Sequence, residues 1–271
     1  MPSCAIAPDC QVHYGLDDFT PPWHPGETVV LHHGIAKSGL FWRAWAPVLA
    51  QTFRILRLDA RGHGLSTPPP PGYSWSLAGL ARDLKALLDA LGIARAHVIG
   101  ETLGGAVSLQ FAHDYPERVT GLVLCTTPYS FTGPGQRYER LARTIESQGM
   151  EAYVRSSMDH RLEARKTDPL DLEWYIREMC KPPAHVAAGI YRSLEGVDLS
   201  PLLAGVRAPT LVLVGDSNTT LPLDRARRLR RLLPKARLKV FKGEAGYIQH
   251  AIPERCARAA LRFLQRLPSS S

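Results

Sequence analysis

Residues Gly100-Glu101-Thr102-Leu103-Gly104-Gly105 follow a short apolar run and open a helical pattern. Their spacing is that of the G-x-S-x-G nucleophile elbow, with threonine where the serine would stand. The glycines permit a turn so tight that its central residue is held strained at the apex, above the end of a sheet. The following helix points its free amides and positive dipole end at the same spot. Such a turn suits a hydroxyl attacking a carbonyl, or, where no base serves the hydroxyl, amides that polarise the carbonyl. Metal chemistry is not expected. Neither H-x-H nor H-E-x-x-H occurs, and the adjacent His32 and His33 face opposite sides of a strand.

The surrounding elements must place this turn at a sheet edge. Short apolar runs at 28–33, 53–59, 97–99, 119–124, 210–214 and 237–241 alternate with helical patterns at 40–50, 77–91, 103–114, 222–233 and 253–267. That rhythm predicts an α/β fold, a mostly parallel sheet covered on both faces. In the second helix Leu77, Leu80, Leu84, Leu87, Leu88 and Leu91 share one face. Between 130 and 203 the rhythm stops and the chain reads as helical. We expect residues 1–129 and 204–271 to form the core and 130–203 a helical cap, inserted after the sixth strand over the sheet's carboxyl edge. Residues 268–271 read as a frayed tail.

Composition narrows the class. The chain has 271 residues, 45% of them hydrophobic, enough for one large core. Asp9, His13, Asp17 and Asp18 near the start do not make a secretory leader. No apolar stretch approaches the roughly 20 residues that span a bilayer. Five scattered cysteines without C-x-x-C spacing suggest reduced thiols and a cytoplasmic location. The net charge of +8 sits largely in two late arginine-rich helices with no aromatic interleaving. A nucleic-acid partner is therefore not expected, whereas an attraction for anionic small molecules is.

Further motifs fall in order around the elbow. His32-His33-Gly34-Ile35 resembles the oxyanion loop of the α/β-hydrolase superfamily. Asp59-Ala60-Arg61-Gly62-His63-Gly64-Leu65-Ser66 resembles its D-x-R-G-H-G-x-S turn. Leu211-Val212-Leu213-Val214-Gly215-Asp216 resembles the strand that delivers the catalytic acid, and 243–254 the histidine loop, ending at Pro253-Glu254. Over about residues 25–265 the chain resembles the capped members, 3-oxoadipate enol-lactone hydrolases and carbon–carbon-bond hydrolases in particular. The resemblance implies an α/β-hydrolase fold without cofactor, acting on a small carbonyl or carboxylate substrate. It also implies an oxyanion hole from the amides of Ile35 and Leu103, with His33, Gly34, Glu101 and Arg161 about the substrate.

Three positions depart from the family pattern. Thr102 stands for the nucleophile, Asn218 for the acid of G-x-x-D, and Tyr247 for the base of G-H. Asparagine cannot stabilise a developing imidazolium, and tyrosine, with an ordinary pKa near 10, is a better donor than base. The favoured expectation is therefore non-hydrolytic: a lyase, isomerase, decarboxylase or cyclase working through an enolate, with Thr102, Tyr247 and Asn218 as donors. The alternative is an ester or lactone hydrolase in which His250, three residues past Tyr247, serves Thr102 with Asp216 or Glu101 in support. Glu101 could equally act as an acceptor that positions the histidine loop. A ligand-binding protein without turnover is the third possibility. Arg161 is read either as the partner of a substrate carboxylate or as a solvated cap residue.

Overall fold

The computed structural model describes residues 2–23, 26–163 and 166–268. The end of the tail expected at 268–271 lies outside them. Eight strands form one sheet: β1 (Ser3–Ala7), β2 (Cys10–Asp17), β3 (Thr28–His32), β4 (Arg54–Leu58), β5 (Ala96–Glu101), β6 (Val119–Cys125), β7 (Thr210–Gly215) and β8 (Ala236–Phe241). Their spatial order is β1-β2-β4-β3-β5-β6-β7-β8. From β4 to β8 all neighbours are parallel, while β1 and β2 form an antiparallel edge.

The helices are α1 (Ala46–Leu49), α2 (Leu77–Ala90), α3 (Thr102–Asp114), α4 (Arg137–Ser156), α5 (Pro169–Met179), α6 (Ala184–Leu194), α7 (Leu223–Leu232), α8 (Ile248–Ala251) and α9 (Pro253–Leu264). Strands β3, β5 and β7 are buried along their whole length, as parallel strands covered on both faces must be. One apolar cluster, with Leu80, Leu84 and Leu87 of α2, fills one side of the sheet and continues into α4–α6. The other side packs Trp42, Trp45 and Leu49 against Ala257 and Ala260 of α9. Helices α4, α5 and α6 lie between β6 and β7, where the strand rhythm fails, and an isolated bridge joins Ser130 to Asp198.

Two details differ from the expectation. The β1–β2 hairpin was not foreseen: its strands precede the β/α rhythm, and β1 alternates between exposed and half-buried positions. The single helix expected over 40–50 is instead a 3-10 turn, Gly39–Trp42, capped by Ser38, followed by the four-residue α1 with a proline in its first turn. Proline suits a helix start and breaks a helix interior.

The chain runs from β3 out to β4 and returns to place β5 on the other flank of β3. The order reverses between β3 and β5, which is where open α/β sheets hold ligands. His32 pairs with Gly100 across that gap, so the loops after β3 and β5 leave the sheet side by side. Gly104 makes the approach possible, since a Cβ there would lie 2.3 Å from the carbonyl oxygens of both His32 and His33.

Candidate active site

Thr102 opens α3 directly after β5, with φ of 45°, a left-handed conformation on a β-branched residue. Such strain costs on the order of 1–3 kcal/mol and marks sites whose surroundings over-determine the backbone. The Thr102 hydroxyl faces the loop after β3: a Cβ added to Gly34 would lie 2.2 Å from its Oγ1. Leu103 stands in the first turn of α3, where amides have no partner within the helix.

Above this floor lies a cavity of about 490 Å³. Thr102, Leu103 and Ile35 line it from the sheet side, Tyr153 and Arg161 from the helical segment, and Tyr247 from the loop before α8. Arg161 is buried, 4% exposed. It donates from Nε to the Ser157 hydroxyl at 3.0 Å and from Nη2 to the Tyr153 hydroxyl at 3.0 Å. Tyr153 in turn hydrogen-bonds the Tyr191 hydroxyl. Among the described residues no carboxylate pairs with Arg161, although its guanidinium also stands 5.6 Å from the Tyr247 ring. A buried cation without an anion is costly, and an anionic ligand would offset that cost. Arg137 and Arg225 line the same cavity. The structure therefore places Arg161 inside, not on a solvated surface.

The remaining expected residues do not line this cavity and hold other roles. Asn218 donates both amide hydrogens to the carbonyl oxygens of Ala245 and Gly246, at 2.8 and 2.5 Å, and accepts from the Leu221 amide at 2.7 Å. Its side chain thus ties the loop after β7 to the loop before α8, in place of the ligand donor expected. Asp216 accepts from the Gly243 amide and stays at that outer turn. His33 is a scaffold residue: Nδ1 lies 2.7 Å from the Gly34 carbonyl and Nε2 accepts from the Ala60 amide. It does not point a donor at the cavity.

His250 does not hydrogen-bond Thr102. Its Nε2 lies 2.8 Å from Glu101 Oε2 and 2.8 Å from Lys37 Nζ, with the ring edge-on to Phe41 and Tyr175. Glu101 is fully buried and accepts from the Gly34 amide at 3.1 Å, from Lys37 at 2.8 Å and from the Gln249 amide at 2.5 Å. Lys37, 1% exposed, also places its ammonium 4.7 Å from the Tyr247 ring centre.

Burial would push the Glu101 carboxyl up, but His250 and Lys37, both aimed at it, hold it well below the usual carboxylate range. Burial lowers Lys37 to about 8 against the pull of Glu101. Burial likewise lowers His250 to about 4, so this imidazole is neutral at neutral pH. Sequence reasoning did not single out Lys37 or Gln249. The available signal was a lysine three residues past Gly34 in a buried loop, with an unmatched Glu101 one residue before the elbow's apex.

The alpha/beta hydrolase fold family model matches residues 27–175. The chain belongs to the α/β-hydrolase fold family. A relative from Caulobacter vibrioides named as a carbamate hydrolase, RutD, is 30% identical over 247 residues, covering 88% of this chain and 90% of that one. A 2-hydroxy-6-oxo-6-phenylhexa-2,4-dienoate hydrolase from Burkholderia cepacia is 29% identical, with 88% of each chain covered. Among solved structures, the enol-lactonase of Burkholderia xenovorans superposes with a TM-score of 0.90 at 22% identity, covering 98% of this chain and all of that one. This is an enzyme of that superfamily. The relatives are named for hydrolytic reactions, which overturns the expectation of lyase, isomerase, decarboxylase or cyclase chemistry: altered residue types at three positions did not warrant abandoning the scaffold's reaction class. Among the described residues no helix is long and apolar enough to cross a membrane.

Proposed function

We propose that this enzyme hydrolyses small carbonyl compounds that carry a carboxylate, such as esters or lactones of short acids. The observation that carries this reading is the pairing, across one cavity, of Thr102 at its strained apex with the buried, carboxylate-free Arg161. In this reading the substrate carboxylate docks on Arg161, which sets the carbonyl over Thr102. The amides of Leu103 and Ile35 receive the oxyanion as the Thr102 hydroxyl adds to the carbonyl. The proton that Thr102 gives up ends on the leaving group, passed through the phenol of Tyr247, which lines the cavity and recovers its own proton. A water then adds to the acyl group, returning a proton to Thr102 as the acid leaves. Because no described imidazole is hydrogen-bonded to Thr102, the rate rests mainly on the amides, which favours substrates with good leaving groups. An oxyanion hole with bound substrate still gives about 10³–10⁴ over water when a triad is absent.

Two activated esters test this. Mono-p-nitrophenyl succinate carries a free carboxylate and p-nitrophenyl acetate does not. Arg161→Leu is expected to raise KM for the succinate ester by about tenfold or more, about 1.4 kcal/mol, and to leave the acetate ester nearly unchanged. Thr102→Ala is expected to lose turnover of both by about tenfold or more. Equal effects of Arg161→Leu on the two esters, or full activity in Thr102→Ala, would refute the reading.

A further inference from the structure

We propose that the buried Glu101–Lys37 pair is the positioning hub of the site, fixing the oxyanion loop, the elbow and the Tyr247 loop relative to one another. In a Ser–His–Asp enzyme, hydrogen bonds among the three catalytic side chains hold the corresponding loops in register. Thr102, Asn218 and Tyr247 make no such chain here: Asn218 is spent on Ala245 and Gly246, and among the described residues the Thr102 hydroxyl has no hydrogen-bond partner. The same three loops meet instead at one carboxylate. Glu101 belongs to the elbow. It accepts from Gly34 and Lys37 of the oxyanion loop, and from Gln249 in α8, with His250 Nε2 at 2.8 Å. Lys37 carries the link onward, because its ammonium lies 4.7 Å from the centre of the ring of Tyr247, a residue that lines the cavity.

The charge count agrees with this role. An ionised Glu101 and a protonated Lys37 balance, and a neutral His250 adds no charge. The groups facing Lys37 are Glu101 on the elbow, His250 on α8, Tyr175 on α5, Tyr247, and Arg161 from the helical segment, with Arg43 acting on His250. Glu101 is the one carboxylate among them. Removing either member of the pair strands the other's charge in a buried site, so single substitutions report stability as well as positioning. The double variant Lys37→Met/Glu101→Gln removes both charges and keeps the shape, which separates the two effects.

The kinetic arm of the test rests on the hydrolase reading, and the exchange arm does not. Turnover of p-nitrophenyl acetate is followed from pH 6 to 9.5, and amide hydrogen exchange is followed over the Gly34–Lys37 loop and at Tyr247. The double variant is expected to stay folded, to lose about tenfold or more in kcat with KM within about twofold, and to exchange these amides about tenfold faster or more. Wild-type kcat is expected to fall as pH rises through about 8, where Lys37 loses its proton, and the double variant to lose that limb. A folded double variant with kcat within about twofold of wild type and unchanged exchange overturns the hub. If the wild type shows no turnover at all, the hydrolase reading fails, and the exchange rates alone decide the hub.

Discussion

Asn218 carries a role that its residue type half conceals. Its two amide hydrogens bind the carbonyls of Ala245 and Gly246, and its own carbonyl caps the Leu221 amide. A carboxylate has no hydrogen to give those carbonyls and would face their negative ends. Asn218→Asp is therefore expected to destabilise the fold by about 1–3 kcal/mol, read as a lower urea midpoint. The position was legible in the sequence from G-x-x-D spacing, but the partners were not, since they are backbone atoms 27 and 28 residues onward. Arg161 was legible as a candidate for the same reason that left it ambiguous. An arginine in a helical segment looks alike whether it faces water or a cavity, and only the third dimension separates the two.

The elbow and the loop after β3 act as one device. Gly34 has no side chain because the Thr102 hydroxyl occupies that space, 2.2 Å from where a Cβ would stand. A methyl there must rotate the hydroxyl or shift the loop. Gly34→Ala is expected to keep a melting temperature near wild type while losing about tenfold or more of its ester turnover. Gly104→Ala meets two backbone carbonyls instead of a rotatable group. It is expected to cost about 1–3 kcal/mol of stability, measured by thermal unfolding. These elements were readable because apolar runs flanked by glycine announce buried strands and tight turns. The β1–β2 hairpin was not, because a partly exposed edge pair lacks that signal. The 40–50 helix was over-read because its aromatic residues do not need a continuous helix to pack: Trp42 and Trp45 are buried without one.

Over the whole molecule, five histidines are held neutral by burial. His32 and His250 are lowered to about 4, and His33, His63 and His97 are lowered as well. The unfolded chain takes up these protons near the ordinary histidine value of 6.5, and the folded chain takes them up only at lower pH. Stability is therefore full above about 6.5 and falls as pH drops toward 4. Glu101, whose folded value is depressed, adds a further loss below the usual carboxylate range. Melting temperature against pH should show this decline, and His250→Gln should make it shallower between pH 6.5 and 4. A melting temperature that stays flat from pH 7 to 4 would contradict the burial account. The fold class was the most legible feature, since five motifs in order leave few topologies. The reaction was the least, because residue identity at three positions says nothing about how the surrounding loops have re-tied themselves.

The claim on which the functional account turns is that Thr102 takes the acyl group. Wild-type enzyme mixed with p-nitrophenyl acetate, quenched with acid early in turnover and digested, can be read by mass spectrometry. The account predicts one acetyl group on the peptide containing Thr102, absent from Thr102→Ala. Sustained ester turnover with that peptide unlabelled at every quench time would contradict it.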